Sequence, residues 1–356
     1  MVFRGEKLKS ARIMAGMSLQ DLADAMPGKV SKQAIYKFES GNLIPNSITT
    51  GYLAGILNVP ECFFERPQYA QLGLIEFRNV HSKVSAKEHA MIREQSLDFV
   101  SRYIELEQLL QFEDKFENPI KDIAIADLAD IETTVYKLRS QWRLGSGPLS
   151  GIIELLEKHG IKILEIEAGD GFDGLQTFEV YTDTPVLVLN KSHFKSNDRK
   201  RFTVLHELGH LLLPLDQYPL KVRERFCNAF AGTMLLPGED LIREFGGKRN
   251  NLSFEELGAV KQNYGISMQA ILYRLRESEL ITETYFKQFM FMINQFNYKI
   301  VEPYPYHGDE KATRFNQLLS RGLAEKVFSV EKAAELKNMR LLDFMKEQSQ
   351  MLQIVY

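Results

Sequence analysis

Cysteines are scarce in this sequence, and long hydrophobic runs are missing. Its 356 residues include two cysteines, Cys62 and Cys227, which lie far apart and form no CxxC pair, so no disulfide framework is expected. No stretch approaches the roughly 18 consecutive apolar residues of a membrane-spanning helix. The start, MVFRGEKLKSAR, is too charged to contain the apolar core of a signal peptide. Together these features predict a cytoplasmic protein that does not enter a membrane.

An excess of positive charge is also lacking. Lysine and arginine number 44 against 47 aspartate and glutamate residues, which gives a net charge of −3. The protein is therefore no polycation, and any affinity for nucleic acid has to come from a local basic surface. With 44% apolar and 26% charged residues, the chain has the composition of an ordinary folded protein, and it is long enough for two or three domains.

Residues 5–58 predict four short helices: GEKLKSARIMAG, SLQDLADAM, SKQAIYKFESG and residues 47–57. Ser18 and Ser31 are the expected N-caps of the second and third helices. The third helix has one apolar side, and its outward side carries the long polar side chains that major-groove reading requires. These outward residues are Lys32, Gln33, Tyr36 and Lys37. The alternative is a small solvated helical bundle that binds no DNA.

Residues 5–60 resemble the lambda-repressor-like (XRE) helix-turn-helix family. The resemblance lies in SLQDLADAM and VSKQAIYKFESG, followed by a proline and LAGILNVP, although the turn PGKV is longer than is usual there. It implies that residues 1–66 form a DNA-binding domain whose recognition helix begins near Ser31, and that Gln20 and Gln33 match positions that commonly meet DNA. We expect a homodimer on a double-stranded DNA operator, with contacts from Gln20, Lys29, Ser31, Lys32, Gln33, Tyr36 and Lys37.

The rest of the chain predicts helices and a few strands, so the expected fold class is mainly α with a small β-sheet (α+β). Residues 67–120 are predicted to be a helical linker, dominated by the amphipathic pattern of 85–117. Residues 121–290 combine helices with two strand-like segments, IKILEIEA and TPVLVLN, separated by a turn at GDGFDGL. Residues 291–356 are expected to be a helical region that begins with a short strand and loop at YKIVEPYPYHGDE.

Residues 203–213 read TVLHELGHLLL, a core-like sequence interrupted by two histidines and a glutamate. His206 and His210 lie four residues apart, so on a helix they share one face, and this spacing lets both imidazoles bind one Zn²⁺. Glu207 is placed to act as general base on the attacking water, the arrangement of HExxH zinc hydrolases. The alternative is a pair of core histidines with hydrogen-bonded partners, which would bury these polar side chains at a desolvation cost.

A third protein ligand is expected from a helix downstream. Glu224, in ERFCNAFA, is the best candidate and shares a helical face with Cys227 and Asn228. Cys227, a soft thiolate donor, and Asp216, in the loop PLDQYP, are the alternatives. Asn228 lies one turn past Glu224 and is expected to orient a ligand. Three further histidines have no partner motif and are expected to have surface or hydrogen-bonded roles: His159, His193 and His307.

RFTVLHELGHLLL followed by ERFCNAFAGTMLLP resembles the ImmA/IrrE family of metallopeptidases. The family pattern is HExxH, then ExxANxFA with a leucine-rich segment and a proline, and WRLGSGPLSGIIELLEKHGIKILEI is similar to its upstream half. The resemblance implies a zincin-like domain at residues 121–290. It also implies the roles of the motif residues, namely zinc ligation by His206, His210 and Glu224 and general-base catalysis by Glu207. Cys227 stands in place of the usual alanine, which favours a packing role.

A helix-turn-helix domain followed by such a peptidase resembles a bacterial and phage architecture. In relatives whose two parts are separate proteins, the peptidase cleaves a helix-turn-helix repressor and releases stress or mobile-element genes. The first hypothesis is therefore a DNA-binding transcription regulator with a zinc-dependent endopeptidase domain, whose substrate is a repressor or another partner protein. The second is a transcription regulator that uses its metal domain as a sensor or scaffold without proteolysis. A third hypothesis is a component of a toxin–antitoxin system, which would use the same residues.

Overall fold

The computed structural model describes residues 2–28, 30–73, 76–77, 85–112, 115–169, 173–192, 194, 196–299 and 301–354. These residues form a mainly α fold with one small β-sheet, which confirms the predicted fold class. The helices are α1 (Gly5–Met14), α2 (Leu19–Ala25), α3 (Lys32–Glu39), α4 (Ser47–Ile56), α5 (Ala86–Leu109), α6 (Leu128–Gln141), α7 (Ile152–Lys158), α8 (Asn197–Leu212), α9 (Leu220–Leu235), α10 (Gly238–Phe245), α11 (Phe254–Tyr264), α12 (Met268–Glu277), α13 (Glu283–Gln295), α14 (Arg314–Ala324), α15 (Val330–Leu336) and α16 (Leu341–Ile354). The strands are β1 (Glu76–Phe77), β2 (Lys162–Ile166), β3 (Gly174–Glu179) and β4 (Thr184–Asn190).

The N-terminal bundle contains the four predicted helices, α1 to α4. Ser18 and Asp21 form a capping box at the start of α2, and the Ser31 hydroxyl accepts a hydrogen bond from the backbone N–H of Ala34 at the start of α3. Such caps satisfy backbone donors that a helix start leaves unpaired. The bundle closes around a core of its own, which includes Leu8, Leu22, Ile35, Leu53, Phe63 and Phe64.

The bundle is attached to the rest of the molecule through α5 and α15. Ser10 of α1 hydrogen-bonds to Glu94 of α5. Arg66, 5% exposed, lies 4.0 Å from the carboxylate of Asp98 and 3.4 Å from that of Glu335. Removing one partner of a buried ion pair leaves the other charge uncompensated. These contacts therefore fix the position of the bundle against α5 and α15.

The sheet has the strand order β1-β3-β4-β2. β2 runs parallel to β4, and β3 runs antiparallel to it, with Gly174 opposite Leu189. The predicted strands correspond to β2 and β4. The predicted turn at GDGFDGL is wrong at its end, because Gly174 and Leu175 already belong to β3; residues 170–172 lie outside the described part of the chain.

Helices α8 to α13 pack with α6 and α7 around the largest core of the described residues. The strand expected within YKIVEPYPYHGDE is wrong, because the described residues 301–313 form a loop. Glu310 of this loop is buried against the equally buried Arg201 of α8 and accepts the backbone N–H groups of Ile152 and Ile153 at the start of α7. In this loop, buried polar contacts supply hydrogen bonds in place of the backbone hydrogen bonds that a strand would form.

The expected boundary between residues 290 and 291 falls inside α13. The final helices, α14 to α16, form a separate small core with the second half of α5.

Among the described residues, no helix combines the length and apolar character that crossing a bilayer would need.

Candidate metal and catalytic site

The packing of α9 against α8 brings the motif residues together. Both helices are largely buried, and Gly209 allows their close approach. A Cβ atom on Gly209 would lie 3.3 Å from the Cα atom of Cys227 and 3.3 Å from the ring of Phe230. Glycine therefore lets the backbone of α9 approach α8 at this point. One turn earlier on α9, Glu224 reaches the two histidines.

Three ligand atoms converge between the two helices. Nε2 of His206 and Nε2 of His210 lie 3.1 Å apart. Glu224 places one carboxylate oxygen 3.3 Å from His206 Nε2 and the other 3.1 Å from His210 Nε2. Among the residues that the structure describes, these three are the one group of His, Cys, Asp or Glu side chains found close enough to share a metal ion.

These separations fit a tetrahedral zinc site. Zinc–nitrogen and zinc–oxygen distances of about 2.0–2.1 Å require neighbouring ligand atoms in a tetrahedron to lie roughly 3.3–3.4 Å apart. The 3.1 Å between the two Nε2 atoms is close to that value, and each Nε2 atom has a different oxygen of Glu224 at 3.1–3.3 Å. Two histidines and one glutamate also form a known set for catalytic zinc, in which the fourth position stays open. The donor atoms and their spacing therefore fit this metal.

The charge state of Glu224 suits a cation. Burial opposes its ionisation, but hydrogen bonds and electrostatic interactions with the rings of His206 and His210 outweigh burial and hold the pKa of the carboxyl well below its usual value. The carboxylate is therefore ionised near neutral pH and can act as a ligand.

Asn228 contacts the far side of a ligand, as the sequence suggested. Its Oδ1 atom lies 2.9 Å from Nδ1 of the fully buried His206. An amide oxygen accepts a hydrogen bond, so the proton belongs on Nδ1 and the lone pair remains on Nε2. A hydrogen bond of this kind is the contact that commonly orients a ligating imidazole in metal sites.

Glu207 lies beneath strand β3 and is 1% exposed. A Cβ atom on Gly174 would lie 3.5 Å from Cγ of Glu207, so β3 passes directly over this carboxylate. Glu207 is not part of the converging ligand group. The sequence predicted a turn at Gly174, so the contact between this residue and Glu207 was not expected. The strand-like composition of GLQTFE could have indicated that Gly174 begins a strand.

The alternative ligands lie elsewhere. Cys227 is fully buried where α9 packs against Gly209 of α8, and Asp216 is an exposed residue of the turn after α8. The ring of His159 stacks on Trp142, with 4.2 Å between the ring centres. His307 is exposed in the loop before α14, and His193 lies outside the described residues.

The expected DNA-contacting side of α3 faces solvent, although the bundle is packed against α5. Tyr36 is 60% exposed, and Gln20 of α2 is also exposed, with its side-chain amide bonded to Asp24. The other described residues expected to contact DNA are exposed as well, namely Ser31, Lys32, Gln33 and Lys37. Lys29 lies outside the described part of the chain. Buried Ile35 and Phe38 hold the opposite side of α3 in the bundle core.

The whole chain has no match among curated proteins. One part of it does match a known family, and this part begins in α7 and ends in α12. It contains the two histidines of α8 and the glutamate of α9 that form the metal-ligand group. Residues 156–276 match the metallopeptidase family Peptidase_M78, described as the IrrE N-terminal-like domain.

Proposed function

We propose that this protein is a DNA-binding transcription regulator that acts in the cytoplasm and carries a zinc-dependent endopeptidase domain. The observation that carries the proposal is the convergence of His206, His210 and Glu224 beside the buried Glu207. The protein substrate proposed is a repressor of the helix-turn-helix class, and its cleavage would relieve repression in a stress, phage or mobile-element response.

The chemistry is assigned to three kinds of group. Zinc, when bound, supplies a Lewis acid that polarises the scissile carbonyl and makes water more acidic. His206, His210 and Glu224 hold the cation, and Asn228 fixes the tautomer of His206. Glu207 accepts the proton of the attacking water and then donates it to the leaving amine. Its burial under β3 keeps this carboxylate away from bulk solvent.

The DNA-binding part of the proposal rests on residues 1–66. The exposed side of α3 offers Lys32 and Lys37 for phosphates and Gln33 for a base edge. A homodimer would place two such helices on an inverted repeat. Since the whole protein carries a net charge of −3, this local surface is where an operator would bind.

The proposal is tested by incubating the zinc-loaded protein with small helix-turn-helix proteins encoded beside its gene, with and without chelator. Discrete fragments that appear in the zinc sample and are abolished by chelator are expected. An intact substrate, both from a wild type that holds one zinc per chain and from a variant in which the edge of β3 described below has been opened, would contradict the endopeptidase assignment.

A second candidate function is a regulator that uses the metal domain as a sensor without proteolysis. It is favoured by the buried contacts of Arg66, which fasten the DNA-binding bundle to α5 and α15. In that case, zinc loading would change operator affinity, and no substrate would be cut.

A further inference from the structure

One edge of β3 lies beside the proposed catalytic residue. Gly174, the first residue of β3, packs against Glu207 and against the carbonyl oxygen of Val188 in β4. β4 occupies one side of β3 along its whole length. The other side of β3 is therefore the edge at which an extended peptide could add backbone hydrogen bonds next to Glu207.

The chain's own residues 71–73 and 76–77 lie along that edge. The carbonyl oxygen of Gln71 accepts the N–H of Val180 at 2.8 Å, and the N–H of Gly73 donates to the carbonyl oxygen of Phe178 at 2.9 Å. Further along, β1 pairs antiparallel with β3 and places Phe77 opposite Leu175. Among the described residues, the pairing reaches Leu175, the neighbour of Gly174.

Side chains hold this segment in place at alternate positions. Ala70 and Leu72 are 2% and 3% exposed and lie in one core cluster with Ile92 of α5 and Leu175 of β3. Between them, the backbone N–H of Gln71 donates to the carboxylate of Glu179 at 3.0 Å. An extended backbone with buried side chains at every second residue is how a peptide binds to a sheet edge.

We infer that residues 71–73 and 76–77 belong to an autoinhibitory strand that occupies the substrate-docking edge of the proposed peptidase. The inference rests on the proposed function. A substrate then enters as an extended segment with apolar side chains at alternate positions, and only after this strand has left.

The test compares two substitutions of Gly73 in the full zinc-loaded chain. Gly73→Pro removes the N–H that bonds to Phe178. Gly73→Ala keeps this donor, and its Cβ atom would lie 3.5 Å from the Phe178 oxygen, an ordinary contact. Three quantities are measured: hydrogen exchange at the Val180 amide, binding of a labelled peptide YAQLGLIEF, and cleavage of the helix-turn-helix substrate.

Gly73→Pro is expected to speed exchange at Val180 roughly fivefold or more, as loss of one hydrogen bond implies. It should also permit peptide binding and raise the cleavage rate, while Gly73→Ala behaves like the wild type. Faster exchange without peptide binding and with an unchanged cleavage rate would overturn the inference. Faster exchange with peptide binding but no cleavage in any sample would support the docking edge and count against the proposed peptidase.

A second variant covers the case in which Gly73→Pro does not fold. Val180→Pro removes the donor to Gln71 from the other strand, and exchange is then followed at the Gly73 amide. Faster exchange with a higher cleavage rate supports an autoinhibitory strand. Faster exchange with an unchanged cleavage rate would show that the segment only covers the edge of β3 and does not control cleavage, which overturns the inference.

Discussion

The Oδ1 atom of Asn228 lies 2.9 Å from Nδ1 of His206, while Nε2 of the same ring faces Glu224. Asn228 and Glu224 lie one turn apart on α9, so one helix supplies both a ligand and the residue that orients another ligand. The ring of His206 is thereby held from both sides.

We predict that Asn228→Ala lowers zinc affinity by about 10- to 100-fold, the usual effect of removing a hydrogen bond to a ligating histidine. Asn228 is exposed, so the fold should persist. Competition with a chromophoric chelator measures the affinity. Asn228→Asp keeps an oxygen acceptor and is the matched control. Unchanged affinity in the alanine variant would show that Asn228 does not orient the ligand.

We predict that His206→Ala loses stoichiometric zinc. The variant should also lose the rise in melting temperature that zinc gives to the wild type, because a ligand bound only to the folded state stabilises it. Elemental analysis and thermal unfolding with and without zinc measure these effects. His307→Ala, at an exposed histidine outside the ligand group, should retain both. A full zinc content in His206→Ala would refute the assigned ligand set.

We predict salt-dependent binding of duplex DNA through α3. Gln33→Ala should reduce discrimination between base sequences by about 1–3 kcal/mol if its amide reads a base edge. Lys29→Ala should weaken binding to all sequences alike and lower the salt slope.

Fluorescence anisotropy with the DNA upstream of the gene, at several salt concentrations, measures both effects. Lys287→Ala, an exposed lysine on α13, is the control and should leave binding unchanged. Absence of salt-dependent affinity for any duplex would rule out the regulator assignment.

We predict that Glu157 makes the protein less stable as pH rises from about 4.5 to about 7. Burial raises the pKa of its carboxyl to about 7, although the backbone N–H groups of Thr313 and Arg314 donate to it. An acid with a raised pKa holds more protons in the folded than in the unfolded state over this range. The free energy of unfolding therefore falls with increasing pH, by up to ~3 kcal/mol.

The comparison of wild type with Glu157→Gln by chemical denaturation at pH 4.5 and pH 7.5 isolates this effect. The variant should lose less stability than the wild type over that interval. Glu154→Gln, an exposed glutamate on the same helix, should behave like the wild type. Parallel pH profiles for wild type and Glu157→Gln would contradict the prediction.

The candidate metal-ligand group could largely be predicted from local sequence. His206 and His210 share a helix face whatever surrounds them, because the helical period fixes their separation. Their partner on another helix was harder to select, since the residues alone left Glu224, Cys227 and Asp216 open. The distance between α8 and α9, which Gly209 makes short, brings Glu224 to the histidines.

The elements that depend on distant partners were missed. β1 has two described residues, and its pairing with β3 joins positions about a hundred residues apart, so no local pattern predicts it. The loop that contains Glu310 was expected to include a strand; its place is set instead by the buried Arg201 and the start of α7. Contacts between residues far apart in sequence are not encoded by periodicity.

The most direct test of the central claim compares the Gly73→Pro variant with a double variant that carries both Gly73→Pro and Glu207→Gln. Zinc content and the rate of cleavage of the helix-turn-helix substrate are measured on the same samples. We expect one zinc per chain in both of them and at least a ~100-fold slower cleavage in the double variant, the usual effect of removing a general base. Loss of zinc from Glu207→Gln, or equal cleavage rates with and without the carboxylate, would contradict the account.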